Sequence, residues 1–486
     1  MKSTICFTRR RWHTGLLSCA AFTFGLMAAA GDVRADDGAR RLQGQVPLKD
    51  QLSGRALQGY KQHVELVGHN DILNRLQNGN LGWLDDCAYV SAYFGTSDPK
   101  AGPTSGLAVL DVASPRNPQL VQILPATPGA RESQVEANKD SRMVVVMPFP
   151  RATIFGDPAS NASLLQIYDV PGHCTNLVKR GTYNFGTENG ATIITHEHRI
   201  WRDKIYVGKS GFRPGDPGPA MHVVDVSDRD NPKLLTTWEL SDEPSMTGIE
   251  SDMHDLDISS DGTRAYINIR TLTGPGGREG GLAILDTSEV ANWQPGMPRP
   301  TIRLISRIVY WSPPMPGGSH SAQLVKIQGR KYVVVMNEGG GCPAGWAQIL
   351  DVNDERNPIP ISSFRMEASK PENCERTRPD HDGIPTTGAL GILIGQRYGS
   401  HYLGVDNPEE AKIVAFTWYS AGLHLVDISD PYSPKEVGYF ITPAIDTGGP
   451  RAIPDRAYSF VRFHDGNIWF TTINGGFWVV RFTGEH

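Results

Sequence analysis

Leu107-Ala-Val-Leu-Asp111-Val112 is the stretch that decides the fold, because variants of it recur along the whole chain. The other copies end on the aspartates Asp169, Asp225, Asp286, Asp351 and Asp427. Consecutive aspartates are 56 to 76 residues apart. A period this long, with several short apolar runs in each unit, predicts the blades of a β-propeller rather than the helix pairs of a solenoid.

The sequence of each repeat unit predicts four strands. In the fourth unit these strands are residues 255–258, 264–269, 281–286 and 302–308. The strand segments are rich in β-branched and aromatic residues, and the turns between them carry Gly, Asp and Pro. The repeated aspartate ends the third strand, where it can accept backbone N–H bonds from the next turn. We therefore interpret this aspartate as structural rather than catalytic.

The last unit is incomplete at the C-terminus. Residues 457–463, 467–473 and 476–482 predict its first three strands, and no fourth strand follows. The segment 63–69 (His-Val-Glu-Leu-Val-Gly-His) resembles the fourth strand of the sixth unit, which begins at Lys435. A propeller closes its ring when one blade takes strands from both termini, because no sheet edge is then left open. The sequence therefore predicts an all-β, seven-bladed β-propeller with four-stranded blades, closed by an N-terminal strand in the last blade.

The N-terminus has the features of an export signal. Arg9, Arg10 and Arg11 precede an uncharged apolar run at 14–30, and the small-residue site at 33–35 suits cleavage. Both a Sec signal and a twin-arginine signal fit this pattern. The predicted location is periplasmic or secreted. The predicted organisation is a signal peptide at 1–35, an N-terminal linker at 36–56 and the propeller at 57–486.

The bulk composition excludes some classes of function. The chain has 486 residues, a formal net charge of -5 and 39% hydrophobic residues. An acidic chain of this kind offers no electrostatic basis for binding nucleic acid. After the signal, no apolar run reaches the roughly 18 residues of a transmembrane helix.

Cysteine usage predicts disulfides. Cys6 and Cys19 fall within the predicted signal, which leaves Cys87, Cys174, Cys342 and Cys374 in the mature chain. An even number of cysteines in an exported chain favours disulfides over thiol chemistry. Cys342 and Cys374 flank the last two strands of one blade, so we predict that they pair, and Cys87–Cys174 follows by elimination.

Three copies of the motif carry a resemblance to a known family: Leu107-Ala-Val-Leu-Asp111, Met221-His-Val-Val-Asp225 and Leu423-His-Leu-Val-Asp427. They make the chain similar to the LVIVD-repeat family of secreted bacterial β-propeller proteins. The resemblance extends over nearly the whole mature chain. It implies the propeller fold and is silent on activity, because propellers host enzymes, binding proteins and scaffolds alike.

Histidines occupy one aligned position in units three to six. His196, His254, His320 and His401 each stand four residues before an apolar residue of the first strand. Asn80, Ser133 and Ser459 hold this position in the other units. First strands line the central channel of a propeller, so the four imidazoles are predicted to meet at the axis and to bind a transition metal, with copper or iron the best candidates.

Nearby acidic residues are predicted to orient these rings from a second layer: Glu132, Glu197, Asp255 and Glu250. Strand alternation predicts that Glu197 points away from both His196 and His198, so the three do not form a metal triplet. The long insertion around 378–399 is interpreted as a surface loop, with a lid over the channel as the alternative.

Two functions fit this sequence. The first is an exported metalloprotein whose axial metal serves a redox reaction on a small molecule in the channel. The alternative is a non-catalytic binding or scaffold propeller at the cell surface, in which the histidines are structural. A propeller lactonase is disfavoured, because its Ca²⁺ needs oxygen ligands and the aligned position carries mainly imidazole.

Overall fold

The computed structural model describes most of the mature chain. The described residues are 42–75, 77–92, 104–127, 130–150, 163–209, 215–216, 218–273, 279–311, 318–338, 343, 345–377, 398–446 and 448–485. All of them belong to the compact unit Arg34–His486. The predicted signal peptide at 1–35, Cys342 and residues 378–397 of the insertion lie outside the described residues. Within the described part, none of the helices has the length and apolar character needed to cross a membrane.

The described strands form seven antiparallel blades of four strands each, as predicted. The innermost strands of blades one to seven are Asn78–Leu84, Ala130–Asn138, Thr195–Trp201, Ser251–Ile258, Ser319–Ile327, Leu403–Val405 and Arg462–His464. The second strands are Cys87–Ala92, Met143–Pro150, Lys204–Lys209, Arg264–Thr271, Arg330–Asn337, Ile413–Thr417 and Asn467–Thr472. The third strands are Gly106–Asp111, Leu164–Asp169, Met221–Asp225, Gly280–Asp286, Ala347–Asp351, Leu423–Asp427 and Gly476–Phe482. The fourth strands are Gln119–Pro125, Val178–Asn184, Lys233–Trp238, Arg303–Trp311, Ile359–Phe364, Lys435–Ile441 and, from the N-terminus, Val64–Asn70.

Few described elements lie outside the blades. A short hairpin joins Thr187–Glu188 to Ala191–Thr192, and the strand Tyr60–Gln62 adds a fifth strand to blade six. The α-helices are Leu48–Leu52, Ser288–Asn292 and Cys374–Thr377. The 3₁₀ turns are Arg55–Gln58, Ile72–Asn74, Leu240–Asp242, Pro244–Met246, Glu367–Ser369 and Pro371–Asn373.

The hydrophobic core lies between the blades. Second and third strands are buried on both faces, and among the described residues each neighbouring pair of blades shares a cluster of buried apolar side chains. The cluster between blades seven and one contains Trp469, Phe477, Val90 and Leu110. Because every blade buries a face against both neighbours, the ring must close for the last pair to be covered.

Ring closure is confirmed. Val64–Asn70 runs antiparallel to Gly476–Phe482, with Val64 opposite Phe482 and Asn70 opposite Phe477. The preceding strand Tyr60–Gln62 pairs with the fourth strand of blade six. The N-terminal segment therefore joins blades six and seven through backbone hydrogen bonds.

The segment predicted as a linker contributes to packing in its described part. Val46 and Ala56 pack with Ile441, Ala444 and Ala452 beside blade six. The buried Gln51 donates from its side chain to the carbonyl of Val46. Residues 42–56 thus cover an apolar edge of the propeller.

The repeated aspartates have the predicted structural role in most blades. In five blades, Oδ1 of the aspartate accepts the backbone N–H two residues later, at 2.8 to 3.2 Å. These aspartates are Asp111, Asp225, Asp286, Asp351 and Asp427. This short-range turn explains why the motif ends on Asp.

One predicted disulfide is confirmed. Cys87 on the second strand of blade one is bonded to Cys174, which follows the third strand of blade two. It closes a loop of sequence separation 87 and ties two adjacent blades together. Cys374 is also disulfide-bonded. Its pairing with Cys342 stays a prediction, because Cys342 is not among the described residues.

Removing the Cys87–Cys174 bridge is expected to destabilise the fold. The double variant Cys87→Ala/Cys174→Ala should lose about 2–4 kcal/mol of unfolding free energy, because the crosslink limits the freedom of the unfolded chain. Chemical denaturation of both proteins under non-reducing conditions measures this difference. Equal midpoints and equal denaturant slopes would contradict the expectation.

Candidate metal centre

The inner strands are irregular where the aligned histidines lie. In blade three, Thr195 pairs with Lys209 and His198 with Val207, so His196 and Glu197 share one partner position. Blades one, two, four and five have the same register shift. A β-bulge of this kind breaks strand alternation and redirects a side chain. The prediction that Glu197 points away from His196 is therefore wrong, since the bulge brings the two side chains into contact.

Pairing with the second strands defines three rings of equivalent positions along the channel. The histidine ring consists of Gly79, Ser133, His196, His254, His320, His401 and Ser459. The middle ring consists of Asn80, Gln134, Glu197, Asp255, Ser321, Tyr402 and Phe460. The mouth ring, two residues further along each strand, consists of Gly82, Glu136, Arg199, Asp257, Gln323, Gly404 and Arg462.

The register corrects one member of the predicted alignment. Leu81 pairs with Val90, which makes Gly79 the equivalent of the histidines and places Asn80 in the middle ring. The sequence alignment used an apolar residue further along the strand as its reference, and not the pairing with the second strand. It therefore placed Asn80 with the histidines. The other predicted members of the histidine ring keep their positions.

The four predicted histidines come together at the axis. The ring centroids lie 4.5 Å apart for His196 and His254, 3.7 Å for His254 and His320, and 4.5 Å for His320 and His401. All four residues are buried, with exposed fractions from 2% to 8%. The result is a continuous arc of imidazoles contributed by blades three to six.

Three of these rings have Nδ1 engaged by a neighbour. Nδ1 of His196 lies 2.9 Å from Oε1 of Glu197, and Nδ1 of His401 lies 2.5 Å from the carbonyl of Tyr458. Nδ1 of His320 lies 3.0 Å from the hydroxyl of Ser321, which itself donates to the carbonyl of His401. The carbonyl and hydroxyl partners accept, so Nδ1 of His320 and of His401 carries the proton and Nε2 holds the lone pair, while Nδ1 of His196 also has the amide nitrogen of Gln134 at 3.3 Å. This is the tautomer in which Nε2 can bind a metal.

His254 occupies the centre of the arc. It is 4% exposed, and its Nδ1 makes no hydrogen bond within the described part of the chain. Burial lowers the pKa of His254 well below its usual value, and the neighbouring His320 and His196 lower it further. The ring is therefore neutral at physiological pH, with a buried nitrogen available to a ligand.

Carboxylates complete two candidate ligand groups. In the first group, ligand atoms of His196, Glu197 and His254 lie within 4.8 Å of one another, and in the second those of His254, His320 and Glu338 do so. Glu338 follows the second strand of blade five, and its Oε2 lies 3.9 Å from Nε2 of His320. Sequence reasoning missed Glu338, because it lies on a different strand from the aligned histidines.

The predicted second-layer acids have different roles. Glu197 contacts His196 as an orienting group should. Asp255 instead forms an ion pair with Arg199 at 2.8 Å. Glu250 accepts the backbone N–H of Gly215. The side chain of Glu132 is outside the described part of the structure.

The middle ring fills the channel beneath the histidines. Asn80 donates to Gln134 at 2.7 Å, Gln134 donates to Glu197 at 2.6 Å, and the hydroxyl of Tyr402 donates to the same Glu197 oxygen. These four side chains are each at most 1% exposed. Burial raises the pKa of Glu197 to about 8, while the Tyr402 bond opposes the shift. The chain of hydrogen bonds crosses the axis from blade one to blade six and lies between the histidine ring and the mouth ring.

Seven four-stranded blades around a histidine-lined channel place the protein in the class of β-propellers with an axial site. More particularly, the LVIVD repeat model matches residues 414–442, which include the copy that ends at Asp427, so this propeller contains an LVIVD repeat. This match confirms the resemblance inferred from the repeated motif. No curated protein matches the sequence.

Solved structures with a similar fold share little sequence. The β-propeller domain of Cps50 (Swd1) from Myceliophteria thermophila is 8% identical, covers 83% of this chain and 96% of its own, and gives a TM-score of 0.47. BamB from Moraxella catarrhalis is 11% identical, with 84% of each chain covered and a TM-score of 0.39. The periplasmic gluconolactonase PpgL of Pseudomonas aeruginosa is 10% identical, with coverage of 70% and 94% and a TM-score of 0.38. These similarities carry no functional information.

Proposed function

We propose that this LVIVD-repeat propeller is an exported metalloprotein that binds one transition metal ion at its axial histidines and uses it for a redox reaction on a small molecule. The observation that carries this proposal is the arc His196–His254–His320–His401, whose adjacent ring centroids are 3.7 to 4.5 Å apart. Four buried imidazoles in contact are costly to assemble for packing alone, because each must give up its hydration.

His254 is the central ligand of the proposed site, because it belongs to both candidate groups. His320 and Glu338 on one side, and His196 on the other, supply the remaining donors. Two imidazoles with one carboxylate suit iron, whereas three or four imidazoles suit copper. No cysteine belongs to either group, which is consistent with both metals. A bound ion of either metal would supply one-electron chemistry to a molecule in the channel.

Metal analysis tests this proposal directly. Protein produced with copper, iron and zinc available should contain close to one equivalent of a single metal by elemental analysis. After chelation, titration with Cu²⁺, Fe²⁺, Zn²⁺ and Ca²⁺ should restore one equivalent and rank Ca²⁺ last, because nitrogen donors disfavour it. Protein that contains no metal and shows no affinity for any of these transition metals would refute the proposal.

Neutralising Glu197 is expected to weaken metal binding without removing a donor nitrogen. The amide in Glu197→Gln cannot accept the His196 Nδ1–H bond with the strength of a carboxylate, so ring orientation and basicity both suffer above about pH 8, where the Glu197 carboxyl group is ionised. Loss of such an outer partner typically costs about 10–100-fold in metal affinity. Competition titration with a chromogenic chelator measures the change. An unchanged dissociation constant would show that Glu197 does not support the site.

A second candidate is a binding or scaffold propeller with structural histidines. It is favoured by two contacts between blades: His401 bonds the carbonyl of Tyr458 in blade seven, and Ser321 links His320 to the carbonyl of His401. Such contacts stabilise adjacent blades without any metal. If this function is correct, alanine at these histidines lowers the melting temperature and leaves the metal content of the protein unchanged.

Export is part of the proposal and has its own test. The charged and apolar segments at 1–35 support it. Fractionation of the native host should place the protein outside the cytoplasm, and N-terminal sequencing should give a mature chain that begins at or near Asp36. A cytoplasmic protein that retains residues 1–35 would overturn this part of the proposal.

A further inference from the structure

The end of the channel opposite the histidines contains a pocket of its own. Its volume is about 240 Å³, and all seven members of the mouth ring line it. Asp255 and Phe460 of the middle ring also line it. A water molecule occupies about 30 Å³ in the liquid, so the pocket has room for a small organic molecule of roughly six to ten heavy atoms.

The two arginines of the pocket differ in the contacts that their guanidinium groups make. Arg199 is fully engaged: it pairs with Asp255 at 2.8 Å, donates to the carbonyl of His198 at 3.0 Å, and lies over the ring of Phe460 at 4.3 Å. Arg462 lies on blade seven, and its guanidinium makes no hydrogen bond or ion pair with any described residue. One guanidinium in the pocket is therefore available to an anionic group.

The two acids of the mouth ring also differ. Asp257 accepts the backbone N–H groups of Ile258 and Leu324, one with each oxygen. Glu136 accepts the N–H of Ile200 through Oε2, which clamps blade two to blade three. Its other oxygen, Oε1, has no hydrogen bond within the described part of the chain. One carboxylate oxygen is thus available to a cationic group.

Glu136 and Arg462 lie close enough to affect each other's pKa. Burial raises the pKa of Glu136 to about 8, although Arg199 opposes the shift. Arg462 is exposed to solvent at the mouth of the pocket. Because a nearby ammonium group would stabilise the ionised form of Glu136, this carboxyl group and the guanidinium of Arg462 in one pocket match a ligand that carries both signs.

We propose that the mouth pocket binds a small zwitterion of the α-amino acid type, whose carboxylate pairs with Arg462 and whose ammonium group pairs with Glu136. A planar guanidinium recognises a carboxylate through two parallel hydrogen bonds. The pocket volume admits an amino acid with a short side chain. Binding here is independent of the proposed metal, because the hydrogen-bonded middle ring lies between the two sites.

Calorimetric titration of the full-length mature protein tests this proposal. The probes are glycine, L-alanine and L-serine, with acetate and methylamine as controls that each carry one of the two charges. The amino acids should bind at one site, at least about tenfold more tightly than either control, because only they satisfy both groups. Chelator-treated protein should give the same result.

Two variants locate the site. Arg462→Gln and Glu136→Gln should each weaken amino-acid binding by about tenfold or more, since each removes one charged pair. Arg481→Gln is the matched control, because Arg481 is an arginine of the same blade that pairs with Glu65 on the surface. Absence of amino-acid binding, equal binding of acetate or methylamine, or unchanged binding by Arg462→Gln would each overturn the proposal. None of these outcomes depends on whether the histidines hold a metal.

Discussion

The double variant His254→Ala/His320→Ala is expected to lose its metal while keeping its fold. The ring centroids of His254 and His320 lie 3.7 Å apart, and His254 belongs to both candidate ligand groups. The double substitution therefore removes two donors at once. Orienting residues alone account for about 10–100-fold in metal affinity, and direct ligands should therefore account for more than about 100-fold. Elemental analysis after expression with metals available should fall from one equivalent to less than a tenth.

A matched control separates loss of ligands from loss of packing. His222 is also buried, at 3% exposed, but it lies on the third strand of blade three, two strands outward from the channel. His222→Ala therefore removes a buried imidazole without touching the proposed site, and it should retain full metal content. Far-ultraviolet circular dichroism and thermal melting confirm that each variant is folded. Equal metal content in the double variant and the control would contradict the metal centre and favour structural histidines.

Removal of the closing strand is expected to have the largest effect on the fold. A chain that begins at Asp71 lacks Tyr60–Gln62 and Val64–Asn70, so Gly476–Phe482 becomes an exposed sheet edge. The truncation also uncovers part of the apolar core, since Val64 is 4% exposed and packs between blades six and seven. Unpaired edges of this kind promote aggregation.

The truncated protein should elute as aggregate in size-exclusion chromatography or melt at least about 10 °C below the mature chain. A chain that begins at Leu42 is the control, because it keeps all of the described N-terminal contacts. A synthetic peptide of residues 60–70 added in trans should restore part of the lost stability, because it can pair with the vacant edge. A truncated chain that remains monomeric with an unchanged melting temperature would show that closure does not depend on this strand.

Much of the fold was predictable because the signals are local. The repeated motif contains a buried third strand and an aspartate that accepts a hydrogen bond in the turn that follows. Each copy of the motif therefore indicates one blade from neighbouring residues alone. The closing strand was predictable because the last unit lacks one strand and a matching segment exists near the N-terminus. The disulfide Cys87–Cys174 was predicted by elimination, once Cys342 and Cys374 were paired from their positions around one blade.

The site was predictable in part. Repetition aligned His196, His254, His320 and His401, and the structure brings all four together. Strand alternation gave the wrong direction for the Glu197 side chain, because a β-bulge adds one residue to the strand and the sequence pattern does not reveal it. The sequence alignment also placed Asn80 one position off, because only the structure shows that Leu81 pairs with Val90.

The sequence by itself determined the number of blades, the way the ring closes and which blades contribute histidines, since these follow from repeats and local turns. Only the tertiary structure decided what meets at the axis. Glu338 comes to His320 from another strand, Tyr402 reaches Glu197 across the channel, and Arg462 lacks the partner that Arg199 has. Contacts between residues far apart in the chain depend on how seven blades are arranged around one axis, and that arrangement exists only when the ring is closed.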